Sequence, residues 1–227
     1  MKRGRKPAID AADITRAAVA VADAEGLAAV SMARVAQELG NSTMALYRHV
    51  KSKDELLALM ADAAFDEPPP LPDGDWSVKL GFWAKGVLAG VRRRPWFLQI
   101  PPSGPPSGPK SLAWFDSALR ALEDTPLSEG EKVGVVMGLM TFVHGEAWLG
   151  VGLRQGFEDD PARFSGQYGQ RLREVVDPRR MPALAKVVAA GVFDADELFD
   201  AAETTEDFEF GLRLFLDGVA AHIARRS

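Results

Sequence analysis

Between Asn41 and Lys53 the chain reads NSTMALYRHVKSK, and its chemistry-bearing side chains are of kinds that can meet an anionic polymer. The hydroxyl of Tyr47, the imidazole N–H of His49 and the ammonium of Lys53 are donors suited to phosphate oxygens, contacts that set register without reading bases. Thr43 can hydrogen-bond a base edge or touch a thymine methyl, while Met44 and Ala45 can offer only apolar contact. Arg48 can grip a guanine bidentately or turn to a phosphate, and His49 also fits a plain helix-surface histidine. Leu46 and Val50 are four apart and share one face of a short helix, leaving Thr43, Met44, Tyr47 and Arg48 on the others. A helix with one apolar side and one polar, aromatic, cationic side suits a DNA groove.

The surrounding sequence supplies the elements that would position this stretch. Asp10, with Asp13 three residues on, starts a helix whose Ile14, Ala17, Ala18 and Val21 recur at helical spacing up to a stop at Gly26. Ser31 caps a second, short helix with Val35, Ala36 and Leu39 inward, and Gly40 permits the tight turn into the next. Two short helices around a glycine turn, braced by a longer one, form the three-helix version of the helix-turn-helix. Ser52 and Glu55 predict a capping box for a fourth helix, Lys53 to about Phe65, whose N-terminus beside a lysine suits a phosphate. Ahead of all this, Met1 to Pro7 carries Lys2, Arg3, Arg5 and Lys6. Arg3 and Arg5 are candidates for an adjacent minor groove, and an ordinary solvated tail fits the same residues.

The net charge of −5 hides an asymmetry: residues 1–53 hold nine Lys/Arg against five Asp/Glu, +4, which leaves −9 for the remainder. Local basic surface, not the total, is what an anionic polymer senses. The chain has no cysteine, so disulfides and thiolate chemistry are excluded, and a cytoplasmic location is expected. No nucleophile–base pair, carboxylate dyad, metal-ligand spacing or phosphate loop stands out, so neither an enzyme nor a metal or cofactor site is expected.

Pro68 to Gly74, PPPLPDG, is a linker or stiff elbow. Beyond it helices are expected at Trp76–Arg94, Ser111–Leu122, Ser128 to about Gln155, between Pro161 and Pro178, near Met181–Ala190, and at Thr205–Arg225. PPSGPPSGP, residues 101–109, is expected as a loop. No strand-like alternation stands out, so the fold expected is all-α, with three parts: a flexible basic arm (1–9), a helix-turn-helix domain (10–66) and a larger helical domain (75–227) for ligand binding and dimerisation. Val133 to Leu153 is apolar over about the ~20 residues a bilayer requires. It contains His144 and Glu146, which favours a core or interface helix over a membrane span.

Along that helix Gly134, Gly138, Thr141, Gly145, Trp148 and Gly152 recur every three or four residues, a mostly small stripe that lets a second helix approach. The last helix offers Gly211, Leu214, Phe215, Gly218 and Ala221 or His222 at similar spacing. Both stripes are candidates for pairing with their symmetry mates in a homodimer, and burial within one chain is the other reading.

The run GLAAVSMARVAQELGNSTMALYRHVKSKDELL, within the first 65 residues, resembles the DNA-binding domain of the tetracycline-repressor (TetR) family of bacterial transcriptional regulators. FEFGLRLFLDGVAAHI, residues 208–223, resembles the end of the C-terminal domain of the tetracycline-repressor branch. The resemblance implies a homodimer joined by C-terminal helices, an effector pocket in each C-terminal domain, and release of a palindromic double-stranded operator when ligand moves the fourth helix. Its base-reading positions fall on Thr43, Met44 and Ala45 and its phosphate contacts on Tyr47, His49 and Lys53, while Ser31 and Arg34 would face the DNA backbone or the groove edge. The namesake branch holds magnesium-bound drug with a His and a Thr-Arg-Pro; the corresponding region here, LQIPPSGPPSGPKS, has neither His nor Arg, so neither tetracycline nor magnesium is expected. Trp83, Trp96, Phe97, Trp114, Met140, His144 and Trp148 are the pocket candidates, suited to an unknown, largely apolar effector, and each also fits plain core. The other function open to the sequence is a helix-turn-helix that docks a protein rather than DNA.

Overall fold

Sequence-local caps start the first five α-helices of the structure, a computed structural model that describes residues 9–101, 104, 106–159, 167–194 and 203–226. Every regular element among these residues is helical. Helix α1, Ala11–Glu25, opens on a reciprocal capping box: Asp13 N donates to Asp10 Oδ1 at 2.8 Å and Asp10 N to Asp13 Oδ2 at 3.3 Å. It stops at Gly26, whose φ of +81° suits a residue without Cβ. A 3-10 turn at Leu27–Ala29 leads to α2, Met32–Glu38, capped by Ser31, and then to α3, Thr43–Leu46, capped by Ser42. Helix α4, Lys53–Ala63, is capped by Ser52, whose Oγ accepts from Glu55 N at 3.0 Å. The expected capping box closes one residue early, because the Glu55 carboxylate reaches past Ser52 to accept from Lys51 N at 2.6 Å.

Helix α5, Trp76–Arg93, starts on Asp75, and a 3-10 turn at Pro95–Gln99 follows it. Helix α6, Pro109–Ala121, begins two residues before the expected Ser111, with the last proline of the nonapeptide as its first residue. Proline is pre-set for that position, having no N–H to leave unpaired and a fixed φ. Helix α7, Glu129–Asp159, runs past the expected Gln155. Helices α8, Gln167–Val175, α9, Pro182–Ala189, and α10, Glu203–Ala224, complete the described elements.

The described chain divides into two compact units, one ending at Val143 and the other beginning at His144, so α7 contributes to both. The first unit contains a core built from α1 to α4, with Ile14, Ala18, Val21, Val30, Val35, Leu46, Val50, Leu56 and Met60 buried and Trp96 added from the second 3-10 turn. Leu80, Trp83, Ala84, Val87 and Val91 of α5 and Trp114, Ala118 and Ala121 of α6 are also buried there. In the second unit Ala147, Val188, Phe208, Leu212 and Val219 are buried, Tyr168 stacks edge-on against Phe193, and Arg173 pairs with Asp194.

Candidate nucleic-acid interface

The turn between α2 and α3 is held from within. Gly40 takes φ +60°, Asn41 N donates to Ala36 O at 2.9 Å, and Asn41 Nδ2 donates to Leu39 O at 2.9 Å. Ser42 Oγ then accepts from Ala45 N, which starts α3 in a fixed direction. Regular helix ends at Leu46, but Tyr47, His49 and Val50 continue it with backbone bonds of 2.9–3.0 Å back to Thr43 and Leu46. Leu46 and Val50 are both 0% exposed, so the keel read from their spacing anchors the stretch in the core.

What that anchoring leaves outside is most of the set expected to meet a groove. Met44 is 70% exposed and Tyr47 46%, large fractions for such side chains. Arg48, His49, Lys51 and Lys53 are exposed, while Thr43 and Ala45 are half-buried at the base of the edge. Lys53 is the first residue of α4, beside N–H groups that a helix start leaves without intrahelical partners. Asp54 and Glu55 lie in the same first turn.

Ser31 Oγ is committed to capping, accepting from Arg34 N at 3.1 Å. Arg34 is committed as well: Nε and Nη2 donate to the Glu25 carboxylate at 3.0 and 2.5 Å, and Nη1 donates to Glu38 at 2.9 Å. Hydrogen bonds from Arg34 hold the Glu25 carboxyl below its usual range, and the two carboxylates raise the guanidinium further. In the structure Arg34 therefore clasps α2 to the end of α1. Arg3 and Arg5 lie outside the described residues.

The aromatic candidates separate into groups. Trp83 and Trp114 meet edge-on, with ring centres 6.2 Å apart, and Trp83 Nε1 donates to Trp114 O at 2.8 Å. They border a narrow groove with Phe82, Ser117 and linker residues Pro68, Pro69 and Leu71, which does not enclose a drug-sized effector. Trp96 belongs to the α1–α4 core, its Nε1 donating to Asp23 Oδ1 at 2.7 Å, and Phe97 stacks edge-on with Phe65 at 5.0 Å. Met140 and His144 are half-buried, and Trp148 is 67% exposed. Burial lowers the His144 pKa from its ordinary 6.5. No group of three or more His, Asp or Glu among the described residues could hold a metal ion.

Of the small-residue stripes, Gly134, Thr141 and Gly145 on α7 and Gly218 on α10 are exposed, while Gly138, Gly211, Phe215 and His222 are half-buried. A Cβ added at Gly134, Gly145 or Gly218 would meet nothing within 4 Å. The segment Glu129–Gly156 is long and apolar enough to cross a membrane by length and composition, and only 22% of its most apolar window is buried.

Two family models match the chain: bacterial regulatory proteins of the tetR family over residues 14–60, and the tetracyclin repressor-like C-terminal domain over residues 68–223. The second alone spans more than half of the sequence. The chain belongs to the TetR family of bacterial transcriptional regulators. It is 34% identical to the HTH-type transcriptional repressor DrrR1 of Streptomyces coeruleorubidus, over 99% of this chain and 82% of that one. Among solved structures, apo ActR of Streptomyces coelicolor superposes with a TM-score of 0.78 at 25% identity, covering 98% of this chain and all of that one. The same protein in complex with (S)-DNPA gives 0.73 at 25% identity, with coverage of 95% and 98%. As a TetR-family member the chain is a ligand-responsive, DNA-binding regulator. Its helix-turn-helix lies in the N-terminal helices, and the helices from α5 onward form the larger C-terminal domain.

The far end of α4 carries a joint that no local sequence signal marks. Asp62, Phe65, Arg94 and Lys110 join α4 to α5 and α6, and their partners lie 30 to 49 residues away, out of reach of any periodic pattern.

Proposed function

We propose that this TetR-family chain is a cytoplasmic, non-enzymatic repressor that grips a palindromic operator as a homodimer and lets it go when a small, largely apolar effector enters the C-terminal domain. The observation that carries the reading is the pairing of a fully buried keel, Leu46 and Val50, with the exposed Met44, Tyr47, Arg48 and His49. In this scheme Thr43, Met44 and Ala45 form the reading edge, and Arg48 adds a guanine or phosphate contact. Tyr47, His49 and Lys53 hold phosphates, and Arg3 and Arg5 follow the adjacent minor groove. Ser31 stands at the groove edge, and Arg34 reaches a phosphate only by exchanging a carboxylate partner. The functional division falls at the proline linker, with 10–66 as reader and 75–227 as effector and dimer domain.

The homodimer is supported by open Cβ positions along α7 and α10 and by Phe210 and Leu214, each 56% exposed on α10. Large apolar side chains beside open glycines suit a helix-on-helix contact with a second copy. The effector class is supported by the paired Trp83 and Trp114, with Met140 and His144 as further candidates.

Selection of bound duplexes from a random pool tests the reading. A palindromic sequence should be enriched, and log K should fall against log salt by about 0.9 per phosphate neutralised. (S)-DNPA, held by the Streptomyces coelicolor relative, is the first compound to titrate against the enriched duplex. A chain that ignores random duplex even at low salt would overturn the DNA reading in favour of a protein-docking helix-turn-helix.

A further inference from the structure

Helices α4 and α6 cap each other. The end of a helix leaves its last carbonyls, and the start of one its first N–H groups, without partners in the helix itself. At the end of α4 and along its exit, carbonyls are taken by side chains from beyond the linker: Arg94 Nη1 donates to Ala63 O at 3.4 Å and to O of the cap residue Ala64 at 2.8 Å, Lys110 Nζ to Phe65 O at 2.9 Å, and Trp114 Nε1 to Asp66 O at 2.8 Å. In return the Asp62 carboxylate of α4 serves the first turn of α6. Its Oδ1 accepts from Ser111 N at 2.8 Å and from the Ser111 hydroxyl at 2.7 Å, and its Oδ2 accepts from Lys110 N at 3.4 Å. Gly108, the residue before α6, has no side chain to cap with, and a Cβ there would overlap Asp62. The cap that α6 lacks locally is thus supplied by α4, through a space that only glycine leaves open.

The joint is half-buried and braced by rings. Phe65 lies against Gly90 of α5 and stands edge-on to Trp114, with centres 6.1 Å apart. Partial burial strengthens such hydrogen bonds and makes their loss costly, so the two helix ends are held as one piece. From this joint α4 runs 11 residues back to Lys53, roughly 16 Å at 1.5 Å per residue, without an internal break.

We propose that Asp62 is the positioning residue that couples the effector domain to the DNA-reading unit: seated in the first turn of α6, its carboxylate makes α4 follow α6 and carries Lys53 with it. The proposal rests on the operator and effector reading above and names the side chain through which it works. Coupling between two binding events is reciprocal, so an operator held at the Lys53 end must also tighten the first turn of α6. That consequence is measurable with no effector present.

The amides of Lys110 and Ser111 sit at a helix start and donate their hydrogen bonds to Asp62, so their exchange with solvent reads the cap directly. The experiment follows residue-resolved amide exchange in the full chain, free and bound to the duplex that selection enriches, for wild type, Asp62→Ala and Asp62→Asn. In wild type the duplex slows exchange at Lys110 and Ser111. In Asp62→Ala exchange at Ser111 in the free protein rises by about tenfold, the size of one lost bond to a charged group. The duplex then slows α4 but no longer slows Lys110 and Ser111. Asp62→Asn, which keeps an oxygen for Ser111, recovers part of the response and serves if the alanine variant does not fold. Equal slowing in all three proteins, or none in wild type, with duplex bound, overturns the coupling while the DNA reading stands. Retention of no duplex at all overturns the DNA reading, and the coupling falls with it.

Discussion

Replacing Gly90 with alanine should destabilise the protein, against the expectation for a helix interior. By propensity alone the change favours the helix by about 1 kcal/mol. The structure sets a larger opposing effect. A Cβ at position 90 would lie 2.5 Å from Phe65 Cε1 and 2.6 Å from Cδ1, where carbon atoms settle at about 3.5–4.0 Å. The ring must retreat by about 1 Å, yet Phe97 meets it edge-on at 5.0 Å, Trp114 meets it at 6.1 Å, and Lys110 holds the Phe65 carbonyl. Overpacking of this kind costs about 1–3 kcal/mol, and each disturbed aromatic pair adds about 0.5–1.5 kcal/mol. Net of propensity, the loss is about 1–5 kcal/mol. At about 2–4 °C per kcal/mol for a chain of this length, Tm should fall by roughly 2–20 °C. Thermal melts followed by circular dichroism at one fixed protein concentration read the shift, with Gly130→Ala as control because a Cβ there meets nothing within 4 Å. In a Phe65→Ala background the penalty at Gly90 should vanish, which ties it to the ring. A Gly90→Ala protein that melts at or above wild type would refute the reasoning.

Lys53→Ala should weaken binding to all duplexes alike and reduce the salt slope by about one; an unchanged slope in a filter-binding series removes Lys53 from the phosphate contacts. His144 has its pKa lowered by burial, so as pH falls the unfolded chain takes up the proton first, and the stability tied to the neutral imidazole is full above about pH 6.5 and lost below it. Urea midpoints at pH 7.5 and 5.5 should therefore differ less in His144→Leu than in wild type. Leu214→Glu puts a charge on the exposed face of α10 and should convert the dimer to monomer in sedimentation velocity without loss of helical signal; a persistent dimer would place the contact elsewhere.

Local rules carried the reading far wherever a residue and its partner lie within one turn. Asp10 with Asp13, Ser31 with Arg34, Gly40 in the turn, and Leu46 with Val50 were all legible because caps and periodicity act over three to four residues. The Arg34–Glu38 pair sits at i, i+4 and carried a usable signal; the stronger Glu25 contact crosses from another helix and carried none. The aromatic residues show the limit most plainly. Trp83, Trp96, Phe97 and Trp114 are all aromatic, yet Trp96 is drawn into the α1–α4 core by Asp23, 73 residues earlier, and Phe97 by Phe65, while Trp83 and Trp114 pair with each other.

The α4–α6 joint was the least legible feature for a related reason. Asp62 reads as a solvated acid on a helix that already has its own cap, and the start of α6 reads as loop because Gly108 and Pro109 offer no capping side chain. Each half is unremarkable alone, and only the tertiary fold brings a spare carboxylate to an uncapped helix. The same fact gives the joint its mechanical consequence. A helix capped by its own preceding residue moves independently of its neighbours, whereas α6, capped by α4, cannot shift its first turn without either moving α4 or giving up the bonds that Ser111 and Lys110 donate to Asp62. Because Arg94 also ties the end of α4 to Asp23 on α1 at 3.3 Å, the proposed coupling would deliver a displacement of α6 to α1 as well as to α4, rather than leave it in the proline linker.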